Sequence, residues 1–138
     1  LAKKETSRLI RLSPQVGLTL PLYAGASSKV LLAHQSSSYI NDYLSNTKIR
    51  KITPFTTPSI DKLNDEIKKI QKQGYSLCDQ DVNIGLTGIA APILDAKEKV
   101  VASFVVAGPR DRILKDKVKI IKILKELCAR ASFELGSR

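Results

Sequence analysis

The chain has 138 residues, 43% of them hydrophobic and 26% charged, which suits one folded domain with its own core and argues against wholesale disorder. No apolar run approaches the ~20 residues that a membrane-spanning helix needs, and no basic-then-apolar leader opens the sequence. The formal charge of +10 invites acidic partners, but the basic residues are scattered and the seven aromatics are not interleaved with them as a base-stacking platform requires. Direct nucleic-acid binding by this chain is therefore disfavoured.

In chain order, Ser7 to Leu12 (SRLIRL) reads as a short strand closed by Ser13 and Pro14. A second strand is expected beyond Gly17, where Leu18, Leu20 and Leu22 alternate. Small residues from Ala24 to Ser28 then precede a short helix carrying Val30, Leu31 and Leu32. Small side chains ahead of a helix let backbone N–H groups approach a ligand, and a helix N-terminus favours anions. A tight packing corner without a ligand uses the same residues. Ser36 to Ser38 cap a second short helix ending near Leu44, and Pro54 and Pro58 forbid regular helix across the connector that follows. Thr57 is placed as an N-cap with Pro58 at the first helical position. Behind them Ile60, Leu63, Ile67 and Ile70 form one apolar stripe, and Gly74 stops that helix.

Tyr75 to Cys78 reads as a strand entering a polar loop, Asp79 to Thr87. Two apolar runs, Ile89 to Leu94 and Val100 to Ala107, flank a short charged turn. They make a hairpin that can line the inside of a pocket, with the polar loop at one end. Gly108 and Pro109 break the sheet, and a last helix is expected from about Asp116 to Leu135, ended by Gly136. Tight hairpins cannot join parallel strands, so the class is α+β, with antiparallel strands at the centre and helices packed on the sheet.

Residues able to carry chemistry are few. His34, the only histidine, is placed at a helix end on the surface. Cys78 and Cys128 stand fifty positions apart without CxxC spacing, and read as free packed thiols of a reducing cytoplasm. Gly25 stands alone, with no glycine pattern for a nucleotide, and Lys29 after Ser28 lacks SxxK spacing. Asp79 and Asp81 could do acid–base work or bind a cation, but two exposed turn aspartates are the plainer reading. Asp61, Asp65 and Glu66 are assigned to the dipole of their helix. No catalytic residue, metal or cofactor is expected. Concave geometry that binds a small molecule without reacting it is what these parts supply most readily. The rival of another class is a small enzyme using Asp79, Asp81 or Cys78.

Four segments carry a resemblance. RLSPQVGLTLPLYAGASSKVLLA (Arg11 to Ala33) resembles R-x-x-x-x-VG-x-x-x-PLHATASGKALLA of the isocitrate-lyase-regulator (IclR) family of bacterial transcription regulators. ITPFTTPSIDKLNDEIKKIQKQGYS, IAAPILDAKEKVVASFVVAGPRDRI and the closing LCARASFELG are similar to that family's later segments in the same order. The resemblance covers nearly the whole chain. It implies the C-terminal effector-binding domain over residues 1–138, truncated at its N-terminus, with the winged helix-turn-helix DNA-binding domain absent from this chain.

The fold so implied is a GAF-like or profilin-like curved antiparallel sheet with helices on its faces. The implied partners are a small organic or aromatic metabolite as effector, operator DNA through the missing domain only, and further copies in a homodimer or homotetramer, with no membrane. Residue by residue, Ala26 and Ser27 inherit the position whose backbone faces the ligand. Cys78, Asp79 and Asp81 stand in the polar loop, and Gly88 and Ile89 begin the IAAP strand. Val105 and Ala107 replace the paired serines of the S-x-S-GP signature, hydroxyls that help hold carboxylates in relatives. Their loss implies a more apolar pocket and an aromatic or otherwise less polar effector. A GAF-like sensor attached to a different output is the alternative.

Overall fold

A computed structural model describes residues 2–4 and 16–138 of the chain. Its first helix, α1 (Ala26–Ala33), starts at Gly25, whose φ of +88° would strain any residue bearing a side chain. Helix α2 (Ser37–Asn46) begins at Ser36, whose hydroxyl accepts from the Tyr39 N–H at 3.2 Å. Helix α3 (Ile60–Gln73) buries the expected stripe of Leu63, Ile67 and Ile70 and stops at Gly74, where φ is +79° and the N–H reaches the Ile70 carbonyl at 2.8 Å. Burying each such side chain contributes roughly 1.5–3 kcal/mol.

Two expectations near these helices are corrected. The cap of α3 is Ser59, accepting from the Lys62 N–H at 3.2 Å, and not Thr57. Thr57 is buried and its hydroxyl is committed to side chains elsewhere in the fold. Leu18, Leu20 and Leu22 do not form a strand. Leu18 remains 62% exposed while Leu22 packs against the core, and alternation without a neighbouring strand in register makes no ladder. The expected strand from Ser7 to Leu12 lies outside the described residues.

Strands β1 (Ser76–Asp79), β2 (Leu86–Leu94) and β3 (Val100–Pro109) form an antiparallel sheet in the order β1-β2-β3. The β2–β3 turn is fixed by Asp95, whose carboxylate accepts from the N–H groups of Lys97 at 2.8 Å and Lys99 at 3.0 Å. The backbone bonds from Lys99 and Lys97 hold the Asp95 carboxyl below its ordinary range. After Pro109 the sheet ends as expected, but the chain turns at once into an unforeseen helix, α4 (Arg110–Lys115). The long closing helix, α5 (Lys117–Glu134), keeps its lysines in solvent and buries Leu124 and Cys128.

Alternation along β2 divides the core in two. Ala90 joins Cys78 and the inner faces of α1 and α3, whereas Ile89 and Ala91 join Ile113, Leu124 and Cys128 under α4 and α5. Ser132 ties the second layer to the sheet, accepting from the Leu94 N–H at 2.9 Å and donating to the Cys128 carbonyl at 2.7 Å. The arrangement is the α+β one read from the sequence.

Candidate functional site

Strand register places Cys78, Gly88 and Ala107 in one row across the sheet and Ser76, Ala90 and Val105 in the next. Directly opposed residues share a face, so all six look toward α1. A Cβ on Gly88 would stand 3.5 Å from the Ala26 Cβ and 3.7 Å from both the Ala107 Cβ and the Val105 Cγ2. The missing side chain at Gly88 therefore leaves a recess about the size of one methyl group, whose nearest walls are carbon. Beside it, a Cβ on Gly25 would meet Val82 Cγ2 at 3.6 Å and Leu20 Cδ1 at 3.9 Å.

The N-terminus of α1 opens here. Its first helical bond runs from the Lys29 N–H to the Gly25 carbonyl at 3.1 Å, and no side chain among the described residues caps the preceding amides. The N–H groups of Ala26, Ser27 and Ser28 thus precede the ladder, at the electropositive end of the helix. Val105 is 43% exposed at the outer lip. Two grooves, of about 390 and 300 Å³, lie elsewhere, one beside α5 and one beside α3. Neither is lined by Ala26, Ser27, Gly88, Val105 or Ala107.

Two residues expected with this group are not brought to it. Ile89 is fully buried on the opposite face, because adjacent residues of a strand point to opposite sides. Asp79 pairs in register with Thr87, one step from the Cys78 row and so on Ile89's face. Its Oδ1 accepts from the Thr87 hydroxyl at 2.7 Å and from Arg110 Nε at 2.9 Å, which joins β1, β2 and the start of α4. Nor are Asp79 and Asp81 the two exposed turn residues of the plainer reading. Asp79 is half-buried, and Asp81 is 7% exposed because a buried cation holds it.

That cation is Lys29, 4% exposed. Its Nζ lies 2.6 Å from Asp81 Oδ2 and 2.9 Å from Glu66 Oε2, and donates to Thr57 Oγ1 at 2.7 Å. Thr57 in turn donates to Glu66 Oε2 at 2.8 Å. Burial opposes the ammonium, but the negative charge available at Cys78, Asp81 and Glu66 outweighs it and raises the Lys29 pKa above its ordinary value. Burial likewise pushes the Cys78 thiol up to about 12, against the pull of Lys29. A thiol so placed is a poor nucleophile at neutral pH.

Lys29, Thr57 and Glu66 escape a search for catalytic spacing. Their signal is positional: Lys29 falls on the same helical stripe as Ala26, Val30 and Ala33, where a solvated lysine has no place. Glu66 serves this network and not the dipole of its helix. His34 sits half-buried at the C-terminal end of α1, with Nδ1 2.8 Å from the Val30 carbonyl.

The sequence profile of the family described as bacterial transcriptional regulator IclR C-terminal matches residues 1–132. The chain belongs to that family. Among IclR relatives, it is 30% identical over 128 residues to the transcriptional repressor IclR of Escherichia coli, covering 89% of this chain and 47% of that protein. It is 29% identical over 117 residues to the HTH-type transcriptional repressor AllR of Salmonella typhi, covering 85% of this chain and 43% of that protein. The chain thus spans less than half the length of these two relatives. A solved transcriptional regulator from Rhodococcus superposes with a TM-score of 0.90 at 28% identity, over 96% of this chain and 55% of that one. The GAF-like α+β fold of IclR C-terminal domains is therefore the fold of this chain. No helix among the described residues is long and apolar enough to cross a membrane.

Proposed function

We propose that this chain is the effector-binding domain of a transcription regulator and that its effector seats in the recess over Gly88. The observation carrying the proposal is the convergence of Ala26, Val105 and Ala107 within 3.7 Å of the empty Cβ position of Gly88, next to the uncapped amides of α1. Amides at a helix start suit a carboxylate, and carbon walls suit an apolar body. With Val105 and Ala107 supplying no hydroxyl, the effector is an aromatic or otherwise weakly polar acid and not a small oxoacid. No reaction is performed on it. Occupancy shifts the population of arrangements among copies in a homodimer or homotetramer, and a separate winged helix-turn-helix domain of the full regulator transmits the shift to operator DNA.

Isothermal titration of the chain with benzoate, phenylacetate, glyoxylate and pyruvate tests this. Binding by the aromatic acids that drops at least about tenfold in Gly88→Ala, with the urea midpoint unmoved, supports the site. A methyl group at 3.5–3.7 Å from its neighbours makes ordinary contacts, so this variant fills the recess without straining the fold. Tight binding of glyoxylate or pyruvate overturns the effector class, and binding that ignores Gly88→Ala overturns the site.

A further inference from the structure

Among the described residues strand β1 ends the sheet order, and its outer edge faces a groove lined by Tyr75, Ser76 and Leu77. The Gln80 N–H donates to the Leu86 carbonyl at 2.8 Å and the Arg110 N–H to the Gly85 carbonyl at 2.8 Å. These two bonds fix the phase of the ladders: even-numbered residues of β2 turn their backbone groups to β1, and odd-numbered ones to β3. In β1, Ser76 and Cys78 consequently bond β2, while Leu77 and Asp79 turn N–H and C=O outward. The next outward carbonyl, Tyr75, accepts from Gln73 Nε2 at 2.8 Å. Leu77 and Asp79 have no backbone partner on that side among the described residues.

The groove of about 300 Å³ runs between this edge and α3. Lys62, Asp65, Lys69 and Gln73 recur along its α3 wall, and Lys117 closes it from the start of α5. Glu66 and Lys29 also line it but are spent on each other at 2.9 Å. Three exposed lysines therefore face one exposed aspartate. Ile70 and Leu77 give the floor an apolar component. From Lys62 to Gln73 a helix rises about 16 Å, the span of roughly five residues of extended chain.

We propose that this groove takes an extended acidic peptide segment of a partner protein, which adds as a further strand on β1. The backbone groups of Leu77 and Asp79 supply the ladder bonds, and Lys62, Lys69 and Lys117 select for carboxylates. The site is separate from the recess over Gly88 and stands without the proposal made for it.

The probe is a fluorescein-labelled heptapeptide of alternating glutamate and valine, titrated into the 138-residue chain by fluorescence anisotropy. Expected are saturable binding, at least about tenfold weaker affinity for the Lys62→Glu/Lys69→Glu variant, and weakening as salt is raised. Amide hydrogen exchange followed by NMR should slow about tenfold or more at Leu77 and Asp79 with saturating peptide, and stay unchanged at Cys78, whose N–H is already bonded to β2. Both altered residues are exposed, so the variant is expected to keep its urea midpoint. Absence of binding overturns the proposal, and so does binding without protection of Leu77 and Asp79 or binding indifferent to the charge reversal. A single-stranded DNA heptamer that displaces the peptide and protects the same amides equally well also overturns it.

Discussion

Lys29 Nζ and Asp81 Oδ2 stand 2.6 Å apart inside the molecule, joining the helix beside the recess to the loop that follows β1. Asp81 Oδ2 is buried, and no hydrogen bond from another described group reaches it. Among the described residues Lys29 is the cation that compensates its negative charge, while Lys29 is shared with Glu66 and Thr57. Such a pair adds little over a well-packed apolar one, but removing one member is severe.

Lys29→Met is expected to lower unfolding free energy by about 3–5 kcal/mol, because it leaves Asp81 charged and buried without a partner. Urea denaturation at pH 7 measures it. Adding Asp81→Asn to Lys29→Met should recover part of the loss, and a strictly additive double variant would show that the two side chains do not depend on each other.

Alkaline pH is expected to destabilise the fold. Cys78 has its thiol pushed from 9.0 to about 12 by burial, so above pH 9 the unfolded chain releases a proton that the folded chain keeps. Stability is full below that range and falls as pH rises through it. Lys29, whose pKa is also raised, acts in the same direction at higher pH. Urea midpoints between pH 8 and pH 11 should fall, and less steeply in Cys78→Ala. Iodoacetamide at pH 8 should label Cys78 only after denaturant is added.

The two hydroxyls ahead of α3 have different duties. Ser59→Ala is expected to cost about 1 kcal/mol, the loss of a helix cap. Thr57→Val is expected to cost about 1–3 kcal/mol, because it strips a bond from both Lys29 and Glu66 in a buried place. Equal and small losses at both positions would contradict the network.

Restoring hydroxyls at the lip of the recess should reverse its preference. In Val105→Ser/Ala107→Ser, affinity for glyoxylate relative to benzoate is expected to rise at least about tenfold, the effect of two new hydrogen-bond donors on a small carboxylate. Calorimetric titration of both ligands into both proteins checks it.

Periodicity made much of this fold legible. The stripe from Ile60 to Ile70, the stop at Gly74 and the hairpin of β2 and β3 follow from local spacing that the tertiary structure does not overrule. Three-dimensional choices were less visible. Of the alternating Leu18, Leu20 and Leu22, Leu22 packs against the core and Leu18 stays exposed, without a ladder. Thr57 looked like a cap because its hydroxyl precedes a proline, yet the folded chain spends that hydroxyl 28 positions away on Lys29. The grouping of Ala26, Gly88, Val105 and Ala107 was legible as a family pattern. Ile89 falls on the opposite face because adjacent residues of a strand point to opposite sides, which a motif read along the chain does not convey. The pairing of Lys29 with Asp81 is not legible, since nothing in either residue's local text announces that the other will arrive beside it.

Strand β2 serves two masters at single-residue spacing. Gly88 looks onto the recess, and its neighbour Ile89 anchors the slab beneath α4 and α5. If the recess proves to be the binding site, substitution at Gly88 can retune it while Ile89 and Ala91 on the other face, and the buried Ala90 beside it, go on guarding solidity.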